Sequence, residues 1–364
     1  MTADAVGGVW QYALDLADGL RAHQVEVTLA VLGPAPSEDQ QAMAEAVGVK
    51  LILTGLPLDW TATRRSEVEE AARIAARIAA QAAPDLIHLN SPALAGGADF
   101  PAPVVAVCHS CVATWWQAVR SGPLPDEFTW RTELVRQGYR AADMLIAPTL
   151  AFARSTADIY ELERGPAVVR NGRRGGLVCE PASSEPAAFT AGRLWDDGKN
   201  IATIDRAAAR LSIPVLAAGP LDGPNGARVH VEHVRTLGRL GDEEIRTHLS
   251  KRPIFVSAAR YEPFGLAVLE AAQAGCALVL SDIPTFRELW DGVAAFVPPD
   301  DDEALANAVE HFASRSELRV QQGLAARERA KSYSVEAMSA GILAAYRSLL
   351  QSKIRKSSLE EAAA

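Results

Sequence analysis

The stretch YEPFGLAVLE (residues 261–270) carries two glutamates, Glu262 and Glu270, on either side of a Pro-Phe-Gly turn and an apolar run. From Gly265 to Gly275 only Glu270 and Gln273 are polar. A helix this apolar is normally buried, and an ionised carboxylate is rarely buried without a partner. The pattern therefore favours ligand contact for both glutamates over the alternative, two solvated surface charges.

The same stretch predicts how such a ligand is held. Pro263 suits the first position of a helix, which leaves the amides of Phe264, Gly265 and Leu266 as free donors at a positive helix end. Eight helical residues advance ~12 Å, whereas glycosidase carboxylates lie ~5–9.5 Å apart. The spacing thus indicates two ends of one elongated ligand rather than an acid and its base.

On both sides of this stretch, short apolar runs alternate with alanine-rich helical segments. Continuous apolar runs are typical of parallel strands covered on both faces, so the chain is predicted to be α/β. The predicted strands are 25–32, 50–54, 85–90, 103–109 and 144–148, followed by 188–194, 214–219, 234–240, 253–259, 277–282 and 294–299.

The length of 364 residues suits two domains. Residues 170–187 are rich in Gly, Pro and Ser and are interpreted as the linker between them. The last long helix is predicted over 334–350, and one face of it is apolar. That face comprises Met338, Ile342, Ala345 and Leu349.

Composition excludes several classes of function. A net charge of −9 argues against general nucleic-acid binding, which needs a basic face. Four scattered cysteines favour a reducing compartment over a disulfide scaffold. The chain shows neither a signal-peptide pattern nor an apolar run of ~20 residues. We expect a cytoplasmic protein with at most peripheral membrane contact. The basic segment RSLLQSKIRK (347–356) could contact an anionic membrane surface, but a solvated helix end explains it better.

Two further motifs suit anionic ligands. AGRLWDDGKN (191–200) places Arg193 and Lys199 around a turn after a predicted strand. A guanidinium fork and a point-charge ammonium suit a diphosphate, although loop cations are often only solvated. Gly7 and Gly8 open a predicted helix, where backbone can approach an anion. This is not the G-x-G-x-x-G fingerprint, so a nicotinamide site has little support.

Two other patterns are better explained by structure. Asp300 and Asp302 have D-x-D spacing that could bind a nucleotide-bound metal, but acidic residues opening a helix are better explained by capping and the helix dipole. Cys108 and Cys111 form a C-x-x-C without a second pair, so zinc or redox chemistry is not expected. We predict neither a metal nor a cofactor.

In order along the chain, the glycine pair, GR…GK and E-x7-E resemble the family-four retaining glycosyltransferases of GT-B fold. The similarity extends through HLNSP, CHS, APT, RNG, LGRLGDEEI and FRELWDG. It implies two Rossmann-like parallel-sheet domains facing across a cleft. The acceptor-binding domain would be 1–170 with the crossing helix 334–350, and the nucleotide-sugar domain 186–332.

The resemblance also implies roles for individual residues. His109 matches a histidine beside the transferred sugar, and Glu262 matches a residue that holds the sugar hydroxyls; we name these two as catalytic. Glu270 matches the residue that grips the ribose. The implied donor-binding set is Gly7, Gly8, Arg193, Lys199, Phe264, Gly265, Leu266 and Glu270.

The acceptor side is predicted from fewer signals. Trp115 and Trp116 follow His109 and could stack on a sugar, although adjacent tryptophans are also common core residues. Trp10 and Asn90 complete the acceptor prediction. Only MTADAV precedes Gly7, so the first strand of the family's fold is expected to be shortened or lost.

The predicted function is metal-independent transfer of a sugar, with retention, from a UDP-, GDP- or ADP-linked donor to a glycan, lipid or small-molecule acceptor. No protein nucleophile is implied. The alternatives are another GT-B enzyme, such as an epimerase or a phosphorylase, and a non-catalytic nucleotide-sugar-binding protein. The sequence does not name the sugar, the base or the acceptor.

Overall fold

The computed structural model describes residues 1–175, 186–224 and 226–363, and so part of the predicted linker 170–187 lies outside the described residues. The chain divides into two compact units. The first consists of Met1–Gln117, Ser121–Gly172 and Val335–Ala364, and the second of Ala118–Arg120 and Arg173–Ser334.

Every strand pair in both units is parallel. The strands of the first unit are β1 (Thr2–Asp4), β2 (Thr28–Leu32), β3 (Lys50–Leu53), β4 (Ile87–Leu89), β5 (Val104–Val107), β6 (Met144–Ala147) and β7 (Ala167–Val168). Those of the second are β8 (Ala188–Ala191), β9 (Val215–Ala218), β10 (Arg235–Gly238), β11 (Ile254–Ser257), β12 (Leu278–Ser281) and β13 (Ala295–Val297).

Helices connect these strands. They are α1 (Gly8–Arg21), α2 (Glu38–Ala46), α3 (Arg65–Ala82), α4 (Val112–Val119), α5 (Asp126–Ala141), α6 (Leu150–Tyr160), α7 (Ile201–Ala208), α8 (Asp242–Ser250), α9 (Leu266–Ala274), α10 (Pro284–Trp290), α11 (Asp302–Ala313), α12 (Ser316–Ala330) and α13 (Val335–Ala363). Short 3₁₀ helices cover Pro92–Gly96 and Lys331–Tyr333. In the described part of the chain, no helix combines the length and the apolar character that crossing a bilayer requires.

The predicted strands all occur in the structure, each shortened at one or both ends, and the α/β prediction is confirmed. Two strands were not predicted, β1 and β7, because three and two residues are too short to show a pattern. The first strand is therefore shortened rather than lost. It pairs with β2, and Thr2 also receives two hydrogen bonds from Asn90, which follows β4.

The last helix belongs to the first unit. Its buried residues Met338, Ile342 and Leu349 share a hydrophobic cluster with Leu16 and Leu20 of α1. The apolar face predicted from the sequence is thus the buried one, with Ala345 at its partly buried margin. The helix itself runs beyond the predicted end at residue 350.

The second unit is a six-stranded sheet in the order β10-β9-β8-β11-β12-β13. Alternate residues of β11 face opposite sides, so Phe255 packs with Leu269 of α9, whereas Val256 packs with Val309 of α11. Helices therefore cover both faces. The direction of strand succession reverses between β8 and β11, which leaves a crevice at their carboxyl ends.

Close packing of α5 on the 3₁₀ helix Pro92–Gly96 depends on Gly138. A Cβ at Gly138 would lie 1.9 Å from the Pro92 carbonyl oxygen, which is backbone and cannot move aside cheaply. We expect Gly138→Ala to cost about 3 kcal/mol, at the upper end for overpacking. Gly165→Ala is the matched control, because its Cβ would meet its nearest neighbour at an ordinary 3.7 Å.

Thermal unfolding followed by circular dichroism tests this expectation. The midpoint should fall by several degrees for Gly138→Ala and stay close to the wild-type value for Gly165→Ala. Equal midpoints for the two variants would contradict the packing described.

Candidate functional site

The two predicted cations and Glu262 of the second unit lie on two loops that leave neighbouring strands. Arg193 and Lys199 follow β8, and Glu262 follows β11. Both loops start at carboxyl ends on either side of the reversal in strand order. This is the location where open parallel sheets bind ligands.

Backbone hydrogen bonds join the two loops. The Gly198 carbonyl accepts from the Arg260 amide at 2.9 Å and from the Tyr261 amide at 3.3 Å. The Asp196 carboxylate accepts from the Gly198 amide at 2.9 Å and so shapes the turn. These bonds hold the backbone before Lys199 against the backbone before Glu262.

Asn200 anchors the far side of the same turn. It is buried, has left-handed φ of 54°, and its Nδ2 donates to the carbonyls of Ala258 at 3.0 Å and Pro299 at 2.7 Å. Asn tolerates this conformation better than most residues. The cation loop is therefore tied to the ends of β11 and β13.

Lys199 and Glu262 meet in a direct ion pair. Their side chains are 25% and 15% exposed, so the pair is mostly removed from water yet reachable by a ligand. Arg193 lies further out, 51% exposed, with its guanidinium 3.1 Å from Asp196 and over the ring of Trp195. Both predicted cations thus lie on the loop after β8, and Lys199 of that loop contacts Glu262 directly.

Helix α9 begins at Leu266, later than the predicted start at Pro263. Gly265 is its N-cap with φ of 92°, a left-handed conformation that glycine adopts without strain. Glu262 consequently lies in the loop before the helix, and the helical estimate of its distance from Glu270 does not apply. First-turn amides from Leu266 onward lack intrahelical acceptors, while the Phe264 side chain is buried in the core.

Glu270 is held by a residue that the sequence did not single out. Arg173 Nη2 lies 2.7 Å from Glu270 Oε1, with side-chain exposures of 12% and 25%. The Arg173 backbone is fixed as well, since its amide donates to Tyr333 O at 3.2 Å and its carbonyl accepts from Gln273 Nε2 at 2.9 Å. The RNGRR run, assigned to a linker, was the signal available for it.

In the first unit, His109 belongs to a polar cluster at the ends of β4 and β5. His109 Nε2 lies 2.8 Å from Asn90 Oδ1, and His88 Nε2 lies 3.2 Å from the same oxygen. Tyr346 of α13 bonds His88 Nδ1 at 2.6 Å, and the Tyr12 ring packs edge-on against His109 at 4.6 Å. The prediction missed Tyr12, His88 and Tyr346; a histidine inside the apolar run DLIHLN was the available signal.

The remaining predicted residues of this unit differ in accessibility. Gly7 and Gly8 are exposed at the start of α1, and a Cβ on Gly7 would meet nothing within 4 Å. Trp10, on α1, is only 3% exposed and belongs to the core cluster that includes Leu29 and Val31 of β2. Asn90 is likewise buried, and its amide is occupied by Thr2 and the two histidines. Burial favours structural roles for Trp10 and Asn90 over acceptor contact.

Trp115 and Trp116 lie half-buried on α4 with ring centroids 6.3 Å apart. Trp116 also lies 5.9 Å from the Phe128 ring, and its Nε1 donates to Gly122 O at 3.2 Å. Together these rings form a partly exposed aromatic surface. Such a surface suits the apolar face of a sugar, as predicted for the acceptor.

The acidic run before α11 has structural roles. Asp301 is the N-cap and accepts from the Ala304 amide at 2.8 Å. Asp302 pairs with Arg206 and Arg210, and Asp300 pairs with Arg260. Among the described residues, no group of three or more His, Cys, Asp or Glu side chains could hold a metal ion. Cys108 and Cys111 are free thiols.

Burial keeps both histidines of the polar cluster neutral. It lowers the pKa of His109 to about 4. The pKa of His88 is lowered to about 3, chiefly by burial and to a smaller extent by the charge of the Met1 ammonium. In the unfolded chain both pKa values are near 6.5. Below that value the unfolded state binds more protons than the folded state. The free energy of unfolding therefore decreases as the pH is lowered.

We therefore expect the unfolding midpoint to drop between about pH 6.5 and about pH 4. Replacing both histidines, as His88→Gln with His109→Gln, should flatten this slope. His230→Gln, which removes an imidazole with an 86% exposed side chain, should leave the slope unchanged. Equal slopes for the wild type and the double variant would show that these imidazoles are not buried in their neutral form.

Both halves of the chain match known glycosyltransferase families. The family Glycosyltransferase Family 4 matches residues 6–173, and the family Glycosyl transferases group 1 matches residues 228–329. The chain is 32% identical over 117 residues to a phosphatidyl-myo-inositol mannosyltransferase of Mycolicibacterium smegmatis, covering 31% of this chain and 30% of the relative. It is 38% identical over 73 residues to the GDP-mannose:cellobiosyl-diphosphopolyprenol alpha-mannosyltransferase of Xanthomonas oryzae, covering 20% and 19%. The matches thus span less than a third of either curated relative.

Solved structures match over nearly the whole chain. Sucrose-phosphate synthase from Thermosynechococcus elongatus superposes with a TM-score of 0.77 at 19% identity, covering 94% of this chain and 93% of that one. Anabaena HepE in complex with UDP-glucose superposes with a TM-score of 0.72 at 19% identity, covering 96% and 100%. At this identity the likeness establishes the fold. With both family matches, it confirms the predicted resemblance: the chain belongs to the family-four glycosyltransferases and has the GT-B fold.

Proposed function

We propose that this protein is a retaining, metal-independent glycosyltransferase that moves a sugar from a nucleotide-diphospho donor to a sugar or lipid-linked acceptor. The donor binds in the second unit, and the acceptor and His109 belong to the first. Its place of action is the cytoplasm, with at most peripheral membrane contact.

One observation carries the proposal: Lys199, Glu262 and the start of α9 converge at the carboxyl ends of β8 and β11. A cation, a carboxylate and a helix N-terminus in one crevice match the parts of a nucleotide sugar. The cation and the helix amides suit the diphosphate, and the carboxylate suits hydroxyl groups. A site with only cations would suit any phosphate.

The cations act on the leaving group. Attack by an acceptor hydroxyl forms the new bond to the anomeric carbon, while the bond from that carbon to the β-phosphate oxygen breaks. Negative charge grows on the diphosphate, where Lys199 and Arg193 stabilise it as preorganised charges. The departing phosphate takes the hydroxyl proton on the same face, so no protein nucleophile is needed and the anomeric configuration is retained.

The glutamates hold the two ends of the donor. Glu262 accepts hydrogen bonds from hydroxyls of the transferred sugar, and Glu270 accepts them from the ribose. In the unliganded protein each carboxylate is paired with a cation, Lys199 or Arg173. Those ion pairs orient both carboxylates before the donor arrives.

The relatives narrow the candidates for donor and acceptor. The Anabaena protein binds UDP-glucose, and the Xanthomonas relative is named for GDP-mannose. Two of the relatives carry lipid-linked acceptors in their names, phosphatidyl-myo-inositol and a diphosphopolyprenol. We propose a UDP- or GDP-hexose as donor, with Trp115 and Trp116 at the acceptor.

Calorimetric titration with UDP, UDP-glucose, GDP and GDP-mannose tests the donor contacts. Lys199→Ala should weaken the binding of both the free nucleotide and the nucleotide sugar by ~10- to 100-fold, since a charge-assisted hydrogen bond contributes ~1.5–3 kcal/mol. Glu262→Ala should weaken the binding of the nucleotide sugar more than the binding of the free nucleotide. Glu270→Ala should weaken the binding of both ligands about equally.

Matched controls come from the same unit. Lys251 is exposed, and Glu243 has an 83% exposed side chain, so Lys251→Ala and Glu243→Ala should bind like the wild type. If Lys199→Ala and Glu262→Ala bind these ligands with wild-type affinity, the assignment of Lys199 and Glu262 as donor contacts is contradicted. Tight donor binding without transfer to any sugar or lipid acceptor would instead favour a non-catalytic binding protein.

A further inference from the structure

The second unit has a cavity at the edge of its sheet opposite the loops that carry Lys199 and Glu262. The cavity has a volume of about 310 Å³ and is bounded by residues just before β8 and β11, the start of β10 and the end of α8. These are amino ends of strands, whereas the candidate donor contacts follow the carboxyl ends of β8 and β11. Both strands have four residues and so span ~13 Å, which separates the two places.

The polar side chains that line this cavity are all basic. They are Arg235, His248, Lys251, Arg252 and Arg319, and among the described residues no acidic side chain lines it. The rest of the wall is largely apolar, and its Phe189 ring stacks on His248 with centroids 5.4 Å apart and an interplanar angle of 7°. Cations beside an apolar wall suit an anionic group attached to a small organic molecule.

Three of these cations have no counter-charge in the described part of the chain. No described residue forms a hydrogen bond or an ion pair with the side chain of Arg235, Lys251 or Arg252. Arg319 is anchored by carbonyl oxygens alone, those of Phe312 at 2.9 Å and Ala313 at 3.2 Å. The positive charge of the cavity is therefore not neutralised by the residues that line it.

The one carboxylate that acts on this group is already engaged. Burial and the charge of Lys251 lower the pKa of His248, and Glu244 opposes them only in part. The Glu244 carboxylate accepts from the Gly241 amide at 2.8 Å, at the start of α8. His248 thus contributes a hydrogen-bonding imidazole rather than a further charge.

Arg252 has a backbone conformation that normally belongs to glycine. It follows Lys251, the C-cap of α8, and has a left-handed φ of 50°. Helices usually place glycine at this position, because a side chain is strained there. Arg252 Nε is also buried without a hydrogen-bond partner. Backbone strain and an unpaired buried donor in one residue are typical of a binding site rather than of a helix end.

We propose that this cavity binds a small phosphate monoester, with Arg252 and Arg235 as the contacts to the phosphate. The guanidinium fork matches phosphate oxygens in pairs, and the wall formed by Phe189 and His248 takes the organic part. The volume lies at the lower end of the ~300–1,000 Å³ found for small-molecule sites, which suits a ligand of the size of a sugar phosphate. The inference does not rest on the proposed function, since the cavity shares no residue with the candidate donor contacts.

Calorimetric titration in a phosphate-free buffer tests this site, with inorganic phosphate and glucose 6-phosphate as the probes. Arg252→Gly and Arg235→Ala should each weaken the binding of both probes by ~10-fold or more, because each removes a charge-assisted contact. Arg246→Ala is the matched control. It removes an arginine of α8 whose side chain is 55% exposed and does not line the cavity, so it should bind like the wild type.

Thermal unfolding separates loss of a ligand contact from loss of the fold. Glycine adopts the left-handed conformation without strain, so Arg252→Gly should unfold at or above the wild-type midpoint while binding the probes weakly. A purely structural role for Arg252 would give the opposite pair of results, a lower midpoint and an unchanged affinity. If Arg252→Gly does not fold, Arg235→Ala still tests the site, because Arg235 is exposed on β10.

The two probes and Lys199→Ala complete the test. Glucose 6-phosphate should bind more tightly than inorganic phosphate; the reverse order would assign the cavity to free phosphate and overturn the role of the apolar wall. Lys199→Ala should keep the wild-type affinity for both probes. Loss of their binding in that variant, or wild-type affinity in both Arg252→Gly and Arg235→Ala, would overturn the proposal. Failure of UDP and GDP to bind would contradict the proposed function alone.

Discussion

The site in the second unit depends on one topological constraint, the reversal of strand order between β8 and β11. Connections leave these neighbouring strands in opposite directions, so a crevice opens at their carboxyl ends. The hydrogen bonds from Arg260 and Tyr261 to Gly198 then bring the two loops together. Every candidate donor contact of that unit lies on these two loops or on α9, which continues the second loop.

This constraint explains the two glutamates in an apolar stretch. Each carboxylate is paired with a cation from another segment, Glu262 with Lys199 and Glu270 with Arg173. An ion pair out of water contributes little net stability, because desolvation offsets the attraction. These pairs are better understood as preorganised ligand contacts than as stabilising bridges.

Much of the architecture could be predicted because parallel strands buried on both faces appear as apolar runs, as in 278–281. The start of α9 could not, since the left-handed φ of Gly265 moves it past Pro263. The partners of the predicted residues could not be predicted from the sequence either. Arg173 and Glu270 are far apart in sequence, as are Tyr346 and His88, and no local pattern relates them.

The most direct measurement is hydrogen–deuterium exchange with and without UDP-glucose or GDP-mannose. If one donor spans both loops, amides in the 193–200 turn and in the 261–270 stretch should be protected together by the same ligand. Protection should be reduced at both segments when Lys199 is replaced. Protection of only one segment, or of neither while the ligand is bound, would contradict the view that the two glutamates hold opposite ends of one nucleotide sugar.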